Sequence, residues 1–165
     1  MYDGRVLKVT LDRVEYPDGR TVNMEVVRHR GSVVLIPMPA PDRIVLVRQY
    51  RYVVDRWLWE LPAGTLDPGE EPLAAALREG HEEIGKIADK ARYIGTFLPT
   101  PGFCDEAMNF FVLTDLRPRR KDEAAAAQDP DELLTVKEFS LAEAREMVRS
   151  MEIVDMKTAL GLTLV

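Results

Sequence analysis

The sequence predicts an α+β protein made of many short strands and a few helices. Its first half is a succession of short runs rich in β-branched residues, separated by turns of Pro, Gly and Asp. Helical periodicity is concentrated in the segments that follow Pro72, Ser140 and Asp155. Because strands and helices follow one another in an uneven order, the chain favours α+β packing.

The chain opens on a predicted β-hairpin within residues 1–30. The segment 5–16 alternates loosely, Tyr16-Pro-Asp-Gly-Arg20 favours a turn, and the segment 21–28 returns as a second strand. The apolar residues of the hairpin are Val6, Val9, Leu11, Val22, Met24 and Val26. Little sequence is left to cover both faces of this hairpin, so we expect one face to pack on another surface.

The remaining strands are predicted from short apolar runs. They cover residues 32–37, 44–50, 58–61, 91–98, 108–113 and 134–139. The Pro/Asp segment 39–43 suggests a hairpin between the first two of these strands. Ser140 is a good N-cap for a helix over 141–149, and Asp155 precedes a short final helix. Residues 118–132 are predicted to form a long loop.

Composition limits the class of protein. A chain of 165 residues has the size of one domain, and we predict a single domain over residues 1–165. The net charge of −6 argues against a general nucleic-acid binder or an anionic-membrane binder. Cys104 is the single cysteine, so a reducing compartment is expected. With no signal peptide and no membrane-length apolar run, the expected location is the cytoplasm.

Three glutamates point to a metal site. Glu79, Glu82 and Glu83 stand at i, i+3 and i+4, which places them on one face of a predicted helix. Like charges at this spacing cost an isolated helix about 0.2–0.5 kcal/mol per pair. A hard divalent cation such as Mg²⁺ or Mn²⁺ removes that repulsion. A solvated acidic face is the common alternative for a Glu-rich helix.

The wider pattern favours the metal. It consists of Gly64, five residues, Glu70, seven residues, Arg78-Glu79, two residues, Glu82-Glu83, one residue and Gly85. This pattern resembles the signature of the Nudix hydrolases. Two aliphatic positions of the signature are filled differently here, by Gly80 and Lys86.

Gly80 bears on stability rather than on the metal ligands. Together with Leu73, Leu77 and Ile84 it forms a stripe that we expect to face the core. A glycine costs about 1 kcal/mol of helix propensity relative to alanine. It also leaves a gap unless another element packs closely against the helix.

The resemblance implies a fold and a set of ligands. The fold is a mixed β-sheet in an α/β/α sandwich, and the loop–helix–loop of the motif binds Mg²⁺, with Mn²⁺ as the alternative. The implied metal ligands are Glu79, Glu82, Glu83 and the backbone carbonyl of Ala63, and Glu82 is also counted as catalytic. Gly64, Glu70, Arg78 and Gly85 are implied to brace the loop and the helix.

The general base is implied to come from the acidic loop before the last strand. In the Nudix enzymes that hydrolyse ADP-ribose, a flexible loop at this place supplies it. Glu132 is our choice because it directly precedes the apolar pair Leu133-Leu134. Glu123, Asp129 and Asp131 remain open for the same role, and so does a purely solvated acidic loop.

Two further segments resemble the ADP-ribose diphosphatases. The first, Pro101-Gly-Phe-Cys-Asp-Glu106, implies that Thr100, the backbone of Gly102, and Glu106 hold the terminal ribose; an ordinary Pro-Gly turn is the alternative. The second, Arg48-Gln-Tyr-Arg51 followed by Glu60-Leu-Pro-Ala-Gly64, implies that Arg51 pairs with the diphosphate. A planar, bidentate cation suits that role.

These features predict a Mg²⁺-dependent pyrophosphohydrolase. It would split ADP-ribose or a related nucleoside-diphosphate sugar into a nucleoside monophosphate and a sugar phosphate. GDP-mannose stays open as substrate, because the positions that stack adenine in related enzymes hold Val6 and Met24 here. A non-catalytic Nudix-fold binding module and a Nudix isomerase are the rival classes.

The same group of enzymes implies an assembly. Their paired N-terminal hairpins complete the base pocket across a two-fold axis. We therefore predict a homodimer with residues 1–30 in the contact, and no nucleic-acid or membrane partner. A monomer whose hairpin folds back on its own domain is the alternative.

Overall fold

The computed structural model describes residues 1–4, 6–120, 123 and 134–165. Its strands are β1 (Tyr2–Asp3), β2 (Leu7–Glu15), β3 (Thr21–His29), β4 (Ser32–Pro37), β5 (Arg43–Arg51), β6 (Arg56–Glu60), β7 (Ala63–Thr65), β8 (Lys86–Phe97), β9 (Met108–Pro118) and β10 (Thr135–Ser140). Its helices are α1 (Pro72–Ile84), α2 (Leu141–Arg149) and α3 (Met156–Gly161), and a 3₁₀ turn covers Tyr52–Val54. In this described part of the chain, no helix is long and apolar enough to cross a membrane.

The strands form three sheets. A mixed sheet has the order β7-β4-β9-β8 with β4 and β9 parallel, and an antiparallel sheet has the order β10-β5-β6. The third sheet, β1-β2-β3, contains the predicted N-terminal hairpin. The hairpin predicted across residues 39–43 is wrong, since β4 and β5 belong to different sheets. All six residues of β4 are buried, so its sequence carries no alternation that would identify its neighbours.

Successive residues of β4 face opposite layers of the protein. Val33 and Leu35 pack in one core cluster with the α1 residues Ala75 and Ala76. Val34 and Ile36 pack in a second cluster with residues that include Ala144 and Met147 of α2. The sheets therefore lie between α1 on one side and α2 on the other, which confirms the α/β/α arrangement.

The buried face of α1 differs from the predicted stripe. Leu73 is 49% exposed and Leu77 is 40% exposed, whereas Ala75, Ala76 and Gly80 are buried. The glycine leaves no gap: a Cβ at this position would lie 3.0 Å from Leu113 Cδ1. These small residues allow the helix to approach β4 and β9 closely. The helix therefore packs on the sheet through Ala75, Ala76 and Gly80 instead of through the two leucines.

The helix starts predicted near the C-terminus are confirmed. Ser140 and Glu143 form a reciprocal capping box at the start of α2. Asp155 caps α3 by accepting a hydrogen bond from the backbone N–H of Thr158. The second cap lies next to the candidate site.

Candidate active site

A tight turn precedes α1 and fixes Glu70. The backbone N–H of Glu70 donates to the Asp67 carbonyl at 3.0 Å, and the Asp67 N–H donates back to Glu70 Oε2 at 3.0 Å. Pro72 occupies the first turn of the helix, and Gly85 ends it in the left-handed conformation with φ 67°. The motif thus runs without interruption from β7 through the turn and α1 into β8.

Arg78 joins three of the motif carboxylates. Its Nε and Nη2 donate to the two oxygens of Glu70 at 2.9 and 2.8 Å. Its Nη1 donates to Glu79 Oε1 at 2.7 Å and to Glu82 Oε2 at 2.9 Å. The hydrogen bond from Arg78 holds the pKa of Glu70 below its ordinary value, and the carboxylates raise the pKa of Arg78. The turn and the helix are connected through one guanidinium.

Two carboxylates of α1 lie against β7. A Cβ on Gly64 would lie only 2.0 Å from Glu79 Cδ and Oε1, so a glycine is required for this approach. Glu83 is 3% exposed, and its Oε1 accepts a hydrogen bond from the Ala63 N–H at 3.2 Å. The Ala63–Gly64 backbone of β7 and the carboxylates of Glu79 and Glu83 from α1 therefore lie in one small region.

The donor set of this region fits a hard divalent cation. Carboxylate and carbonyl oxygens are the ligands that Mg²⁺ and Mn²⁺ prefer. As they stand, no three His, Cys, Asp or Glu side chains among the described residues are arranged to hold a metal ion. The Arg78 guanidinium supplies the compensating positive charge between Glu79 and Glu82 instead. The residues fit by chemistry and charge, while the carboxylates of Glu79 and Glu82 are held by Arg78.

Arg51 lies at the end of β5 and pairs with a buried glutamate of β6. Its Nε and Nη2 donate to the two oxygens of Glu60, both at 2.8 Å. Lys157 of α3 also donates to Glu60, through Nζ. Burial by itself raises the pKa of Glu60, but the hydrogen bonds and charges of Arg51 and Lys157 outweigh burial and hold that pKa below its ordinary value. Glu60 is therefore a carboxylate shared by two cations.

The loop between β8 and β9 is tied to the end of β3. The Val27 N–H donates to the Phe103 carbonyl at 2.7 Å, and the Asp105 N–H donates to the Val27 carbonyl at 3.1 Å. Ser32 Oγ donates to Glu106 Oε1 at 2.8 Å. His29 Nδ1 lies 3.8 Å from the same carboxylate oxygen and accepts a hydrogen bond from the Gly31 N–H at 3.1 Å. These contacts fix Glu106 beside β4.

A cavity of about 320 Å³ lies where these elements meet. Its lining residues include Arg51, Ala63, Glu106, Asp155 and Lys157. Ala63 is the link to the motif, because it contacts Glu83 directly. The cavity thus adjoins Glu83 of α1 through Ala63, and Arg51, the partner of Glu60, lies on its wall.

The predicted site residues fall into three groups. The structure brings Arg51, Ala63 and Glu106 together in the cavity. The motif glutamates do not line the cavity, but Glu83 contacts it through Ala63. Thr100 and Gly102 are exposed in the β8–β9 loop and do not line the cavity. Glu132, Asp129 and Asp131 lie outside the described residues.

Glu123 is described, and its surroundings disfavour a general base. Arg117 binds both of its carboxylate oxygens, at 2.9 and 2.6 Å. This interaction, with the Arg120 N–H, lowers the pKa of Glu123 to about 2. A base with so low a pKa is poorly matched to proton transfer at neutral pH.

Among the lining residues that were not predicted from the sequence, two are charged: Asp155 and Lys157. The sequence predicts Asp155 only as a helix cap and predicts no role for Lys157. One sequence feature points to them: in Asp155-Met-Lys-Thr-Ala-Leu, a good helix cap is followed by a lysine within a mostly apolar segment. Nothing in the sequence indicates that this segment lies against β6, which is about a hundred residues away in the chain.

Comparison with known proteins agrees with the motif. A NUDIX domain model matches residues 28–156. The chain is 38% identical to the methanol dehydrogenase activator of Bacillus methanolicus and 36% identical to the ADP-ribose pyrophosphatase of Bacillus subtilis (strain 168), in both cases over 98% of the chain and 86% of the relative. It is 33% identical to the GDP-mannose pyrophosphatase of Salmonella typhimurium, over 93% of the chain and 85% of the relative.

A solved structure shows the same fold. The crystal structure of an ADP compounds hydrolase matches with a TM-score of 0.80 at 24% identity, over 99% of this chain and 86% of that one. The domain match covers most of the chain and includes the whole loop–helix–loop with its glutamates. The chain therefore belongs to the Nudix family and is a Nudix hydrolase.

Proposed function

We propose that this Nudix hydrolase is a Mg²⁺-dependent pyrophosphohydrolase that splits ADP-ribose, or a related nucleoside-diphosphate sugar, into a nucleoside monophosphate and a sugar phosphate. One observation carries the proposal: a cavity with Arg51 on its wall adjoins the acidic face of α1 through Ala63. The proposed cation site and a guanidinium would thus flank one space, as a diphosphate requires.

Each group has a part in the proposed reaction. Mg²⁺ would be held by Glu79, Glu82, Glu83 and the Ala63 carbonyl. It would neutralise charge on the diphosphate and lower the pKa of the attacking water. Arg51 donates to the diphosphate oxygens, and Glu106 accepts hydrogen bonds from sugar hydroxyls. The water oxygen bonds to one phosphorus, that phosphorus loses its bond to the bridging oxygen, and the proton passes to Glu132 as general base.

The size of the cavity bears on the substrate. About 320 Å³ is at the lower end of the range of roughly 300–1,000 Å³ typical of ligand sites. It leaves little room for a base beside a diphosphate and a sugar. The named relatives include an ADP-ribose pyrophosphatase and a GDP-mannose pyrophosphatase, so a guanine nucleotide is the second candidate.

The N-terminal sheet is the proposed source of the missing base contacts. It connects to the cavity through His29, the last residue of β3. Its side chains remain exposed on both strands of the hairpin, for example Leu11 at 57% and Met24 at 39%. A second copy of the chain packed on this sheet would cover these residues and complete the base pocket in a two-fold homodimer.

Light scattering at low micromolar concentration tests the assembly. We expect the mass of a dimer, and a Leu11→Lys variant should shift the mass towards a monomer with weaker substrate binding. A monomer that hydrolyses ADP-ribose at full rate would contradict both the dimer and the shared pocket.

A substrate panel tests the proposed reaction. Nucleotide sugars, dinucleotides and nucleoside triphosphates are incubated with Mg²⁺, and the phosphate products are separated and identified. We expect the fastest turnover with ADP-ribose or another nucleoside-diphosphate sugar. Preferred cleavage of triphosphates would refute the substrate class.

Matched variants of α1 tie the activity to this site. Glu82→Gln removes a proposed metal ligand and should lower turnover by about 10² or more. Glu71→Gln is the control, because Glu71 is exposed at the start of the same helix and its side chain makes no cap hydrogen bond. Equal activity of the two variants would show that the acidic face of α1 is not the metal site.

A further inference from the structure

Four charged side chains form a compact group at one edge of the cavity, which we call the Glu60 cluster: Arg51, Glu60, Asp155 and Lys157. Arg51 binds both oxygens of Glu60, and Lys157 Nζ donates to Glu60 Oε2. Lys157 Nζ also donates to Asp155 Oδ2 at 3.0 Å. Three of the four, all but Glu60, line the cavity.

Burial makes the cluster sensitive to its charge balance. Glu60 is 1% exposed and Lys157 is 9% exposed. Ionised groups this deeply buried are tolerated only when they are paired, and removing one partner leaves an uncompensated charge. The two carboxylates of the cluster are matched by its two cations. Without Lys157, the single charge of Arg51 would face two carboxylates.

Thr158 fixes the cluster against the strand that leads into the motif. Its Oγ1 accepts a hydrogen bond from the Leu61 N–H at 2.7 Å, and its backbone N–H donates to Asp155 Oδ2 at 3.0 Å. Leu61 is the residue directly after Glu60 and two residues before Ala63. The start of α3 is thereby held against the segment between Glu60 and Ala63, which leads from β6 to the cavity wall.

We propose that Lys157 is a positioning residue for the diphosphate, acting through Glu60 on Arg51. Lys157 neutralises one of the two carboxylates, so that the charge of Arg51 is available to an anionic ligand while its geometry stays fixed by Glu60. This inference rests on the proposed function, since it takes a diphosphate as the group that Arg51 binds. It assigns a role in the site to a residue of α3.

Replacing Lys157 with methionine should weaken diphosphate binding. The variant leaves the cluster with one net negative charge beside the ligand, and one uncompensated charge near an anion in a protein changes affinity by about tenfold or more. Because Arg51 binds the diphosphate in the ground state as well as the transition state, the loss should appear mainly in KM, with kcat changed by less than about threefold.

A compensating variant separates this role from direct contact with the ligand. Lys157→Met combined with Glu60→Gln removes one cation and one anion, which restores the balance and leaves an oxygen that accepts from Arg51. We expect ADP affinity within about threefold of wild type in this double variant, by the same charge argument. The double variant leaves no buried charge unpaired within the Glu60 cluster, so it can be examined even if Lys157→Met alone does not fold.

The experiment is isothermal titration calorimetry with ADP in the presence of EDTA, with circular dichroism as the fold check. Lys90→Met is the matched control, since Lys90 is an exposed lysine paired with Asp115 away from the cavity; it should bind ADP like wild type. Wild-type affinity in Lys157→Met would overturn the inference. A double variant at least tenfold weaker than wild type would do so too, because it would mean that Lys157 contacts the ligand directly.

The binding and turnover measurements distinguish a failure of the proposed reaction from a failure of the inference about Lys157. A wild-type protein that binds ADP but cleaves no nucleoside-diphosphate sugar would refute the proposed reaction and leave the role of Lys157 standing. A folded wild-type protein that does not bind ADP at all would overturn the inference itself.

Discussion

Gly64 offers a direct way to move one proposed metal ligand without changing its chemistry. The residue lies in β7, paired with Val33 of β4, and the carboxylate of Glu79 occupies the space that a Cβ on this residue would need. Its φ is outside the left-handed region, so an alanine causes no backbone strain. The perturbation in Gly64→Ala is therefore confined to the added methyl group and the carboxylate beside it.

The structure gives the size of the displacement. The new Cβ would lie 2.0 Å from Glu79 Cδ, whereas ordinary contacts start at 3.4 Å, so the carboxylate must retreat by about 1.4 Å. A misplacement of about 1 Å in a catalytic group can cost 10²-fold in rate. The moving atoms are the far end of a flexible side chain, so the stability loss should stay near the cost of a strained rotamer, about 0.5–1.5 kcal/mol.

The assay compares kcat at saturating Mg²⁺ with the free energy of urea unfolding. We expect kcat to fall about 10²-fold while the variant stays folded at the assay temperature. Gly95→Ala is the control, because its Cβ would meet Phe97 at an ordinary distance of 3.5 Å. If Gly64→Ala kept more than half of the wild-type kcat, the position of Glu79 would not matter for the reaction and its ligand role would be refuted.

The remaining predictions concern the base, pH and packing. Glu132→Gln should lower kcat by about 10² or more with KM retained; full activity in it, with loss in an Asp129 or Asp131 variant, would move the base along the loop. Arg78 lowers the pKa of Glu70 from its ordinary 4.5, so the stability from this pair is complete above pH 4.5 and is lost as the pH falls through the lowered value. As the pH falls below 4.5, the free energy of urea unfolding should therefore decrease more in wild type than in Glu70→Gln. Parallel curves of unfolding free energy against pH would contradict this. Gly80→Leu should cost about 1–3 kcal/mol through overpacking against Leu113, and unchanged stability would show that α1 can shift away from the sheet.

Local patterns in the sequence predicted the local features of the fold. The Pro-Asp-Gly turn, the Ser140 and Asp155 caps and the loop–helix–loop were each identified by chemistry within a few residues, and the structure contains all of them. Features set by distant contacts were not predictable in the same way. The parallel pairing of β4 with β9 joins residues 76 positions apart in the chain, and neither of the paired segments carries alternation that would reveal its neighbour.

The buried face of α1 was predicted wrongly and the role of the α3 residues was not predicted, for related reasons. Apolar spacing pointed to Leu73 and Leu77, but the sheet accepts the small residues Ala75 and Ala76, which allow closer packing. The role of Lys157 depends on its contact with Glu60, a pairing across the whole fold that a single sequence does not show. The acidic motif was easier to identify because all of its members lie within about twenty residues of each other.

The most direct test of the central claim is hydrolysis of ADP-ribose and GDP-mannose in ¹⁸O-labelled water, followed by ³¹P NMR. With Mg²⁺, wild type should give only a nucleoside monophosphate and a sugar phosphate, with one ¹⁸O in one of the two phosphates. EDTA and Glu82→Gln should each suppress that signal, while Glu71→Gln should preserve it. Release of inorganic phosphate, or full-rate cleavage in EDTA or in Glu82→Gln, would contradict a metal-dependent pyrophosphohydrolase at this site.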